Sequence, residues 1–438
     1  MKANRSPIMK LVGILLITSF ACSNPLQYPA STPITGVQPA TATLQPPTSM
    51  PGPAYSPTFM PSNTPSTTPW LTMTSTAAAV SAPALKLYNL YMSDEKSGWA
   101  RALDAEGNPN LLHTMDGGRT WLNVTPRLPN SPIYNHSFFM DAQSAWLLVG
   151  AYSLTLARTQ DGGETWAIFP LKITFNEIQF ESINDGWGVH EDWHGGSWYM
   201  RFYRTMDGGE TWTPFIVPQP SSNGIIADPD GFQGCNCGDS LYYDPARLIL
   251  LLSETYADTP AGFVHLFMST DWGKSWRELK LPLPPSQTGV FVESSWPTFV
   301  DQLNGLLGVH SAERGSKDSR HDFVAIYVTH DGGLSWKLST AFENPLHQSD
   351  MKIDYATPLD AFVPCGKNLC ATHDGAQTWQ TLTSNLDFRS TQAGGTLLDY
   401  DFVNAATGWA ISKAGDGTTL YKTHDGGASW TEIATLIK

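Results

Sequence analysis

One short polar run carries the residues best suited to metal chemistry. His190, Asp192 and His194 alternate in the run His-Glu-Asp-Trp-His, so their side chains would share one side of an extended segment. Imidazole and carboxylate groups are common ligands of transition metals. The alternative is a polar hairpin tip that Gly195-Gly196 turns. Because no further ligand groups in the chain have a spacing that would complete such a site, we predict neither a metal site nor a cofactor.

Carboxylates in the longer segments between apolar stretches could support glycoside hydrolysis. They include Asp192, Asp230, Glu254 and Asp322. Two such groups about 5 to 9 Å apart can act as acid and base, or as acid and nucleophile, on a glycosidic bond. No Walker loop, dinucleotide-binding glycine pattern or nucleophile elbow is present in the sequence. Hydrolysis is therefore the catalytic alternative to a purely binding role.

A repeated phrase predicts the framework that positions these residues. The phrase Ser/Thr-x-Asp-x-Gly-x-Ser/Thr-Trp, which we call the clasp, occurs seven times, and Ala376 replaces its glycine in the sixth copy. A spacing of roughly 40 to 65 residues indicates an array of similar units. The Asp side chain and a glycine with positive φ favour a tight hairpin turn, after which the Trp begins a strand. The clasp aspartates are Asp116, Asp161, Asp207, Asp271, Asp331, Asp374 and Asp425.

A second pattern precedes most clasps and completes the unit. An alternating apolar stretch runs into a short Asp- or Asn-containing turn and then Gly-Trp or a variant, as in Met92 to Trp99 and Phe402 to Trp409. Each unit therefore has strand A, a short turn, strand B, a variable loop, strand C, the clasp and strand D. We predict an all-β fold, a seven-bladed β-propeller of four-stranded antiparallel blades, over residues 85–438.

The clasp and the pattern that precedes it resemble the motifs of known propeller families. The clasp resembles the Asp-box, or bacterial neuraminidase repeat, and the combined pattern looks like the photosystem II stability/assembly-factor-like group of propellers. Sialidases, xyloglucanases and sortilin-type receptors are more distant relatives. The resemblance implies a propeller that assists a membrane or exported complex. A sialidase-like enzyme would need an Arg-Ile-Pro segment near the first blade, and the chain has none there. Xyloglucanases use a cleft between two propellers, whereas one is predicted here.

The first 22 residues are typical of a lipoprotein export signal. Basic residues precede an apolar run from Leu11 to Ala21, which is too short to span a bilayer of about 30 Å. Ser19-Phe20-Ala21-Cys22 resembles a bacterial lipobox, in which Cys22 would be lipidated. The alternative is an ordinary signal with an incidental cysteine. We predict an extracytoplasmic lipoprotein of a bacterium, anchored to the membrane through Cys22.

Residues 23–84 are predicted to form a disordered stalk. They are rich in Pro, Thr, Ser and Ala, and from residue 23 to 83 no Lys, Arg, Asp or Glu occurs. Such a segment buries too little apolar surface to offset the entropy lost on ordering. The whole chain carries a net charge of −14 with no basic run, which argues against nucleic acid as a partner.

The remaining cysteines suit an oxidising compartment. Cys365 and Cys370 flank the predicted B–C hairpin of the sixth unit, where a cross-strand disulfide is plausible. Cys235 and Cys237 could close only a strained small ring. A zinc site made by all four is the alternative, but Cys-x-Cys with Cys-x4-Cys from distant blades is poor spacing for zinc.

Insertions predict which face of the disc binds a partner. The A–B turns and clasps are short, whereas the long segments fall between strands B and C and between units, weighted toward units three to five. We call the face with these segments the elaborated face, and the opposite one the clasp face. Trp193, Trp198 and Trp296 also fall on the elaborated face, where they either pack the loops or stack on a ligand. We predict a non-enzymatic propeller that binds a protein or glycan at the cell envelope.

Overall fold

The computed structural model describes much of the predicted propeller. All described residues fall in the compact unit that includes residues 70–438; the other unit, residues 9–69, lies outside them. The described residues are 73–74, 85–128, 134–150, 154–194, 197–215, 219–221, 224–226, 232–233, 241–244, 249–253, 256–258, 263–270, 277–284, 291–294, 297–312, 323–343, 352–389, 391 and 395–438.

The chain forms a seven-bladed β-propeller, so the predicted fold class is confirmed. Each blade is an antiparallel meander of strands A to D, numbered here along the chain after β1 (Met73–Thr74). Blade 1 consists of β2 (Lys86–Met92), β3 (Gly98–Leu103), β4 (Pro109–Thr114) and β5 (Thr120–Asn123). Blade 2 consists of β6 (Tyr134–Phe139), β7 (Ala145–Val149), β8 (Thr155–Thr159) and β9 (Thr165–Pro170). Blade 3 consists of β10 (Glu177–Phe180), β11 (Gly186–His194), β12 (Ser197–Thr205) and β13 (Thr213–Phe215).

Blades 4 to 7 repeat this order, with strand A of blade 5 split in two. Blade 4 consists of β17 (Leu241–Asp244), β18 (Ile249–Ser253), β20 (Phe263–Ser269) and β21 (Arg277–Pro282), and blade 5 of β22 (Phe291–Ser294) with β23 (Thr298–Phe299), β24 (Gly305–Ala312), β25 (Phe323–Thr329) and β26 (Lys337–Glu343). Blade 6 consists of β27 (Asp354–Tyr355), β28 (Ala361–Cys365), β29 (Asn368–Thr372) and β30 (Gln380–Leu382). Blade 7 consists of β31 (Leu397–Phe402), β32 (Gly408–Ala414), β33 (Gly417–Thr423) and β34 (Thr431–Ile433). The additional strands are β14 (Gln219–Ser221), β15 (Gly224–Ile226), β16 (Phe232–Gln233), β19 (Tyr256–Asp258) and β35 (Leu436–Ile437).

The A strands form the centre of the ring and close it. Strand β31 of blade 7 contacts both β27 of blade 6 and β2 of blade 1, and β6 contacts β10. At the closing seam, Asp399 Oδ2 accepts a hydrogen bond from Leu90 N and Asp401 Oδ2 accepts one from Met92 N, each over 2.7 Å. Blades 7 and 1 also share a buried apolar cluster that includes Trp409 and Trp121. The core therefore lies between blades, where facing sheets pack.

The recurring Gly-Trp pair has a packing reason. A Cβ at Gly186 would stand 2.5 Å from Phe180 Cδ1, and a Cβ at Gly408 would stand 2.5 Å from Phe402 Cδ1. In these blades glycine therefore lets strand B begin close against the aromatic residue that ends strand A, whereas blades 2 and 6 have Ala145 and Ala361 at this position. The Trp that follows is fully buried, as Trp187 and Trp409 are.

Two outer edges carry a strand that the sequence did not predict. Strand β35 pairs in parallel with β5, Ile437 lying opposite Trp121, and β1 pairs antiparallel with β9, Met73 lying opposite Trp166. Met73–Thr74 stand within residues 23–84, which the sequence predicts to be a disordered stalk. An outer D strand presents unpaired N–H and C=O groups, which explains why nearby chain adds to it.

Candidate functional site

The clasps are hydrogen-bonded turns with one repeated geometry. In blade 3, Asp207 Oδ1 accepts from Thr205 Oγ1 at 2.8 Å and from Thr211 N at 2.9 Å, while Thr205 Oγ1 accepts from Gly209 N at 2.8 Å. Thr211 Oγ1 donates to Asp207 Oδ2 at 2.5 Å. Partial burial opposes ionisation of Asp207, but these hydrogen bonds outweigh it and lower its pKa. The other described clasps share the arrangement, whereas Asp271 lies outside the described residues.

The clasps also link each blade to its A–B turn and to its neighbour. Gly208 N donates to Asn184 O over 2.8 Å, which joins the clasp and the A–B turn of blade 3 on one face. Trp146 Nε1 of blade 2 donates to Gly208 O over 3.1 Å, and Trp409 Nε1 of blade 7 donates to Gly117 O of blade 1 over 2.9 Å. The clasp aspartates are therefore structural groups of the ring, and the B–C and D–A connections lie on the opposite face.

Ala376 is the one non-glycine residue with positive φ among the described residues, at 66°. It occupies the glycine position of the sixth clasp and is buried, and its N–H still donates to Thr372 Oγ1 over 3.0 Å. The departure from the repeat therefore leaves the turn intact. In the same blade Phe362 takes the place of the strand B tryptophan and stacks on Phe402 with ring centres 3.6 Å apart.

On the elaborated face, several predicted loops are extensions of the sheets. The segment from His190 to Trp198 is a continuation of the β11–β12 hairpin in which the backbone register pairs Trp193 with Trp198. Strand β16 from the following insertion pairs with β12, and β19 from the B–C connection of blade 4 pairs with β22 of blade 5. Sequence patterns missed these pairings because they join segments distant along the chain.

Many of the predicted site residues cannot be placed by their side chains. Asp192, Trp193, His194 and Trp198 are described only by their backbone in β11 and β12. The predictions that lie outside the described residues concern Cys22, Asp230, Cys235, Cys237, Glu254, Trp296 and Asp322. His190 is partly exposed, and its Nδ1 lies 2.8 Å from Thr174 O and 3.0 Å from Thr174 Oγ1, so this nitrogen is engaged within blade 3.

Side chains of the A strands form a polar network that links three blades. Lys352 Nζ of blade 6 donates to Asp399 Oδ1 of blade 7 over 2.7 Å. Asp399 Oδ2 accepts from Asn89 Nδ2 and Leu90 N of blade 1, both at 2.7 Å, and Tyr400 N donates to Oδ1 at 2.8 Å. Burial raises the pKa of the Asp399 carboxyl, and the Lys352 charge opposes that shift. Two donors at each oxygen hold this carboxylate in place.

The network continues into blade 2 through Arg101. This residue lies opposite Asn89 in the β2–β3 pairing, and its Cζ is 5.3 Å from the centre of the Tyr88 ring. Burial raises the pKa of Tyr88, which Arg101 opposes. Burial and the Arg101 charge lower the pKa of His136 to about 3, so His136 is neutral near pH 7. We call Tyr88, Asn89, Arg101, His136, Lys352 and Asp399 the inner polar cluster.

The inner polar cluster lies toward the elaborated face. Each A strand enters the ring from that face and ends at an A–B turn on the clasp face, and Tyr88, His136 and Asp399 stand in the first half of their A strands, Asn89 at the middle of β2 and Lys352 just before β27. Arg101 stands in the second half of strand B, which runs back toward the elaborated face. Asn89 Oδ1 is buried and has no hydrogen-bond partner, and the same is true of Ser137 Oγ nearby in β6. Buried polar groups are normally paired, so these atoms can accept from or donate to a ligand or water.

Buried carboxylates of the A strands serve the ring. Asp354 Oδ2 accepts from Phe402 N, Asp401 Oδ2 accepts from Met92 N, and Asp399 binds Leu90 N. Each therefore satisfies a backbone N–H of the neighbouring blade. The sequence indicates that these carboxylates are buried, because Asp354, Asp399 and Asp401 stand among aromatic and apolar residues of predicted strands. Their partners could not be predicted without the ring geometry.

Two further features mark blade 6. Cys365 and Cys370 form a disulfide across its B–C hairpin. On its clasp side, a shallow cavity of about 240 Å³ is lined by His373, Asp374 and Thr378 among others. The hydrogen bonds of Thr378 lower the pKa of Asp374 to about 2. This cavity is thus bordered by a carboxylate that the clasp already uses.

The part of the chain that the structure describes has no candidate metal site and no candidate membrane-spanning helix. No cluster of three or more His, Cys, Asp or Glu side chains there could hold a metal ion. No described helix has the length and apolarity needed to cross a bilayer.

Comparisons with known proteins give no family and only distant structural likenesses. No family model matches the chain, and neither does any curated protein. Among solved structures, YCF48 bound to D1 peptide shares 17% identity, covering 81% of this chain and 97% of its own, with a TM-score of 0.46. An ulvan lyase bound to its glycan shares 10% identity over 80% and 96% of the two chains, with a TM-score of 0.43. An α-L-arabinanase of Penicillium chrysogenum shares 15% over 58% and 78%, with a TM-score of 0.29.

Proposed function

We propose that the chain is an exported, lipid-anchored propeller that binds a protein or glycan partner through its elaborated face and does not catalyse a reaction. The observation that carries the proposal is the inner polar cluster. It gathers the cations Lys352 and Arg101 and the phenol of Tyr88 in the part of the ring that we place toward the elaborated face. Such a set recognises polar groups by hydrogen bonds.

A hydrolase is the alternative, and the bonding of Asp399 and Asp401 argues against these two carboxylates as its catalytic pair. A glycosidase needs one carboxyl that keeps a proton and a second that is free to attack or to activate water. Asp399 has a raised pKa, but both of its oxygens accept donors from the protein. Asp401 also accepts a backbone N–H and is buried. Neither has the open oxygen that a substrate would require.

The clasp is also proposed to be of the Asp-box type, on the strength of its residues and its hydrogen bonds. Among the solved structures of this fold, one is bound to a peptide and another to a glycan. That likeness is too distant to favour either ligand class. The proposal therefore rests on the chain's own residues, and the partner class is left to experiment.

The first experiment tests the elaborated face. The full chain would be used as bait against solubilised envelope proteins and, separately, against an immobilised panel of neutral, sialylated and uronate-containing glycans. Tyr88→Phe removes one hydroxyl of the inner polar cluster, and the pair Trp193→Ala and Trp198→Ala removes both tryptophans of the β11–β12 hairpin. We expect each change to weaken binding about fivefold or more, on the order of 1 kcal/mol.

A matched control comes from the clasp face. Arg119→Ala and Gln160→Ala change exposed clasp residues of blades 1 and 2. We expect partner binding to be unchanged. Equal binding by the wild type, the elaborated-face variants and the clasp variants would refute the choice of face.

The hydrolase alternative has its own test on the same glycan panel. Release of sugar by the wild type, abolished in Asp192→Asn or Glu254→Gln while glycan binding persists, would overturn the binding-only proposal. Absence of release with retained binding would support it.

Anchoring is tested separately. Cys22→Ala should leave an uncleaved precursor or release the protein from the membrane fraction, because the thioether to the lipid could no longer form. Membrane partitioning equal to that of the wild type would contradict lipid anchoring at Cys22.

A further inference from the structure

Three leucines are exposed on adjoining turns of the clasp face at blades 5 and 6, while Met115, Ile183 and Met206 are exposed on the same face at blades 1 and 3. Leu303 in the A–B turn of blade 5, Leu334 in its clasp and Leu359 in the A–B turn of blade 6 are 51%, 45% and 57% exposed. Single exposed leucines are ordinary on a protein surface. Three on adjoining turns of one flat face are less so, since grouped exposed apolar residues commonly mark interaction sites.

Hydrogen bonds and side-chain contacts place these three turns side by side. Gly332 N of the blade 5 clasp donates to Leu303 O over 2.9 Å, and Leu334 lies two residues farther along the same clasp. His330 Nδ1 lies 2.8 Å from Asn304 Oδ1, the residue after Leu303. His330 Cε1 and Leu359 Cδ2 both flank Gly375, at 3.5 and 3.9 Å from the place of a Cβ. We call Leu303, Leu334 and Leu359 the apolar clasp patch.

The turn geometry does not require leucine at these positions. The residue after the second glycine of the clasp is Leu334 in blade 5 but Arg119, Glu164, Glu210 and Gln377 in other described blades. Its backbone takes part in the turn whatever its side chain is. Blade 7 has Ala428 at this position, so Leu334 is a property of blade 5 and not of the repeat.

The surroundings of the patch are acidic. Asp301, Asp331, Asp360 and Asp374 stand in the same turns, and hydrogen bonds within the clasps lower the pKa of Asp331 and Asp374 despite partial burial of Asp331. In the described A–B turns and clasps, the Lys and Arg residues are Lys96 and Arg119, both in blade 1. The other basic groups at the patch are His330 and His373 of the clasps and Arg277 of blade 4, which donates to Leu334 O over 2.9 Å, so the four carboxylates still outnumber the one Arg. A ligand that fits must therefore supply apolar side chains together with positive charge.

We propose that the apolar clasp patch docks a protein segment in which apolar side chains are flanked by Lys or Arg. The leucines contact the apolar side chains, and the surrounding carboxylates attract the basic ones. Because this surface lies opposite the elaborated face, the propeller can hold a second protein while its first partner is bound.

The test uses the full chain and two short synthetic peptides, one alternating Leu with Lys and the other alternating Leu with Glu, measured by fluorescence anisotropy. We expect the Lys peptide to bind about tenfold more tightly than the Glu peptide at low salt, with the preference falling as salt screens the carboxylates. The combined change Leu303→Ser, Leu334→Ser and Leu359→Ser should weaken Lys-peptide binding at least fivefold.

A control variant distinguishes binding at this patch from non-specific binding to exposed apolar side chains. Leu154→Ser removes a leucine of similar exposure, 45%, at the other end of the ring, where strand C of blade 2 begins. It should leave peptide binding unchanged. If the combined variant does not fold, Leu359→Ser alone replaces it with a smaller expected loss.

Three outcomes would overturn the proposal. The first is equal binding of the two peptides, and the second is unchanged Lys-peptide binding in the leucine variants. The third is that the wild type sediments as a dimer or floats with neutral lipid vesicles and the combined variant does neither. That result would assign the patch to self-association or to a lipid surface.

Discussion

Removal of one clasp carboxylate should destabilise the ring by a predictable amount. In Asp207→Ala, Thr205 Oγ1 and Thr211 N lose their shared acceptor, Asp207 Oδ1, and Thr211 Oγ1 loses Asp207 Oδ2. The consequences differ between the two threonines because Thr205 is buried and Thr211 is exposed. Water can replace the carboxylate at Thr211 but not at Thr205.

The magnitude follows from that difference. A buried hydroxyl left without an acceptor costs about 1 to 2 kcal/mol, and each solvent-accessible hydrogen bond about 0.5 kcal/mol or less. We therefore expect Asp207→Ala to lower the free energy of unfolding by about 2 kcal/mol. The clasp also holds Gly208 O against Trp146 Nε1, so the loss should reach the seam between blades 2 and 3.

Thermal unfolding followed by circular dichroism would measure this as a fall in Tm of a few degrees. Asp104→Ala is the matched control, because Asp104 accepts from Glu106 N and Asn108 N in an exposed turn on the elaborated face. The control should shift Tm much less. Since the pKa of Asp207 is lowered in the fold, its contribution is present above about pH 4 and lost as pH falls below that value. A penalty for Asp207→Ala that persists undiminished near pH 2 would refute the assignment.

Three further outcomes are expected. Trp409→Phe should lower Tm more than an exposed substitution does, because it leaves Gly117 O without its donor at the closing seam; an unchanged Tm would contradict the role of that hydrogen bond. Because the pKa of His136 is lowered in the fold, its neutral imidazole contributes fully to stability above about pH 6.5. As pH falls toward 3, the free energy of unfolding should decrease by up to roughly 1 kcal/mol per pH unit. His136→Phe should make this dependence on pH weaker in urea unfolding measured from pH 7 to 4. The Cys365–Cys370 disulfide closes only a short loop, because the two cysteines are 5 residues apart. Cys365→Ser should therefore lower the free energy of unfolding by less than about 3 kcal/mol and leave the circular dichroism spectrum of the sheets unchanged.

The repeated clasp made the fold predictable, because its geometry is local. Thr205, Asp207, Gly209 and Thr211 stand within seven consecutive residues and form the turn by their own hydrogen bonds, without help from the rest of the chain. The order of strands A to D followed from the same local pattern. Blade number and strand order therefore needed no long-range information.

The inner polar cluster was not predictable because its contacts span the chain. Asn89 and Asp399 are 310 residues apart and meet only when blades 7 and 1 close the ring. In the sequence Asp399 appears as an acid in an apolar strand, which indicates burial but not a partner. The pairing of β35 with β5 is equally long-range, and short strands of two to four residues, such as β19, carry little periodicity.

The two faces of the ring differ in what fixes their residues, and this difference separates stability from binding. On the clasp face each Asp is required by the turn, so its charge accompanies the fold whether or not a ligand uses it. Toward the elaborated face, the contacts of Tyr88 and Asn89 with Arg101 and Asp399 recur in no other described blade. A residue that the repeat does not require is free to be selected for recognition. Substitutions of clasp aspartates should therefore lower Tm in every blade, whereas Tyr88→Phe should change affinity with little change in Tm.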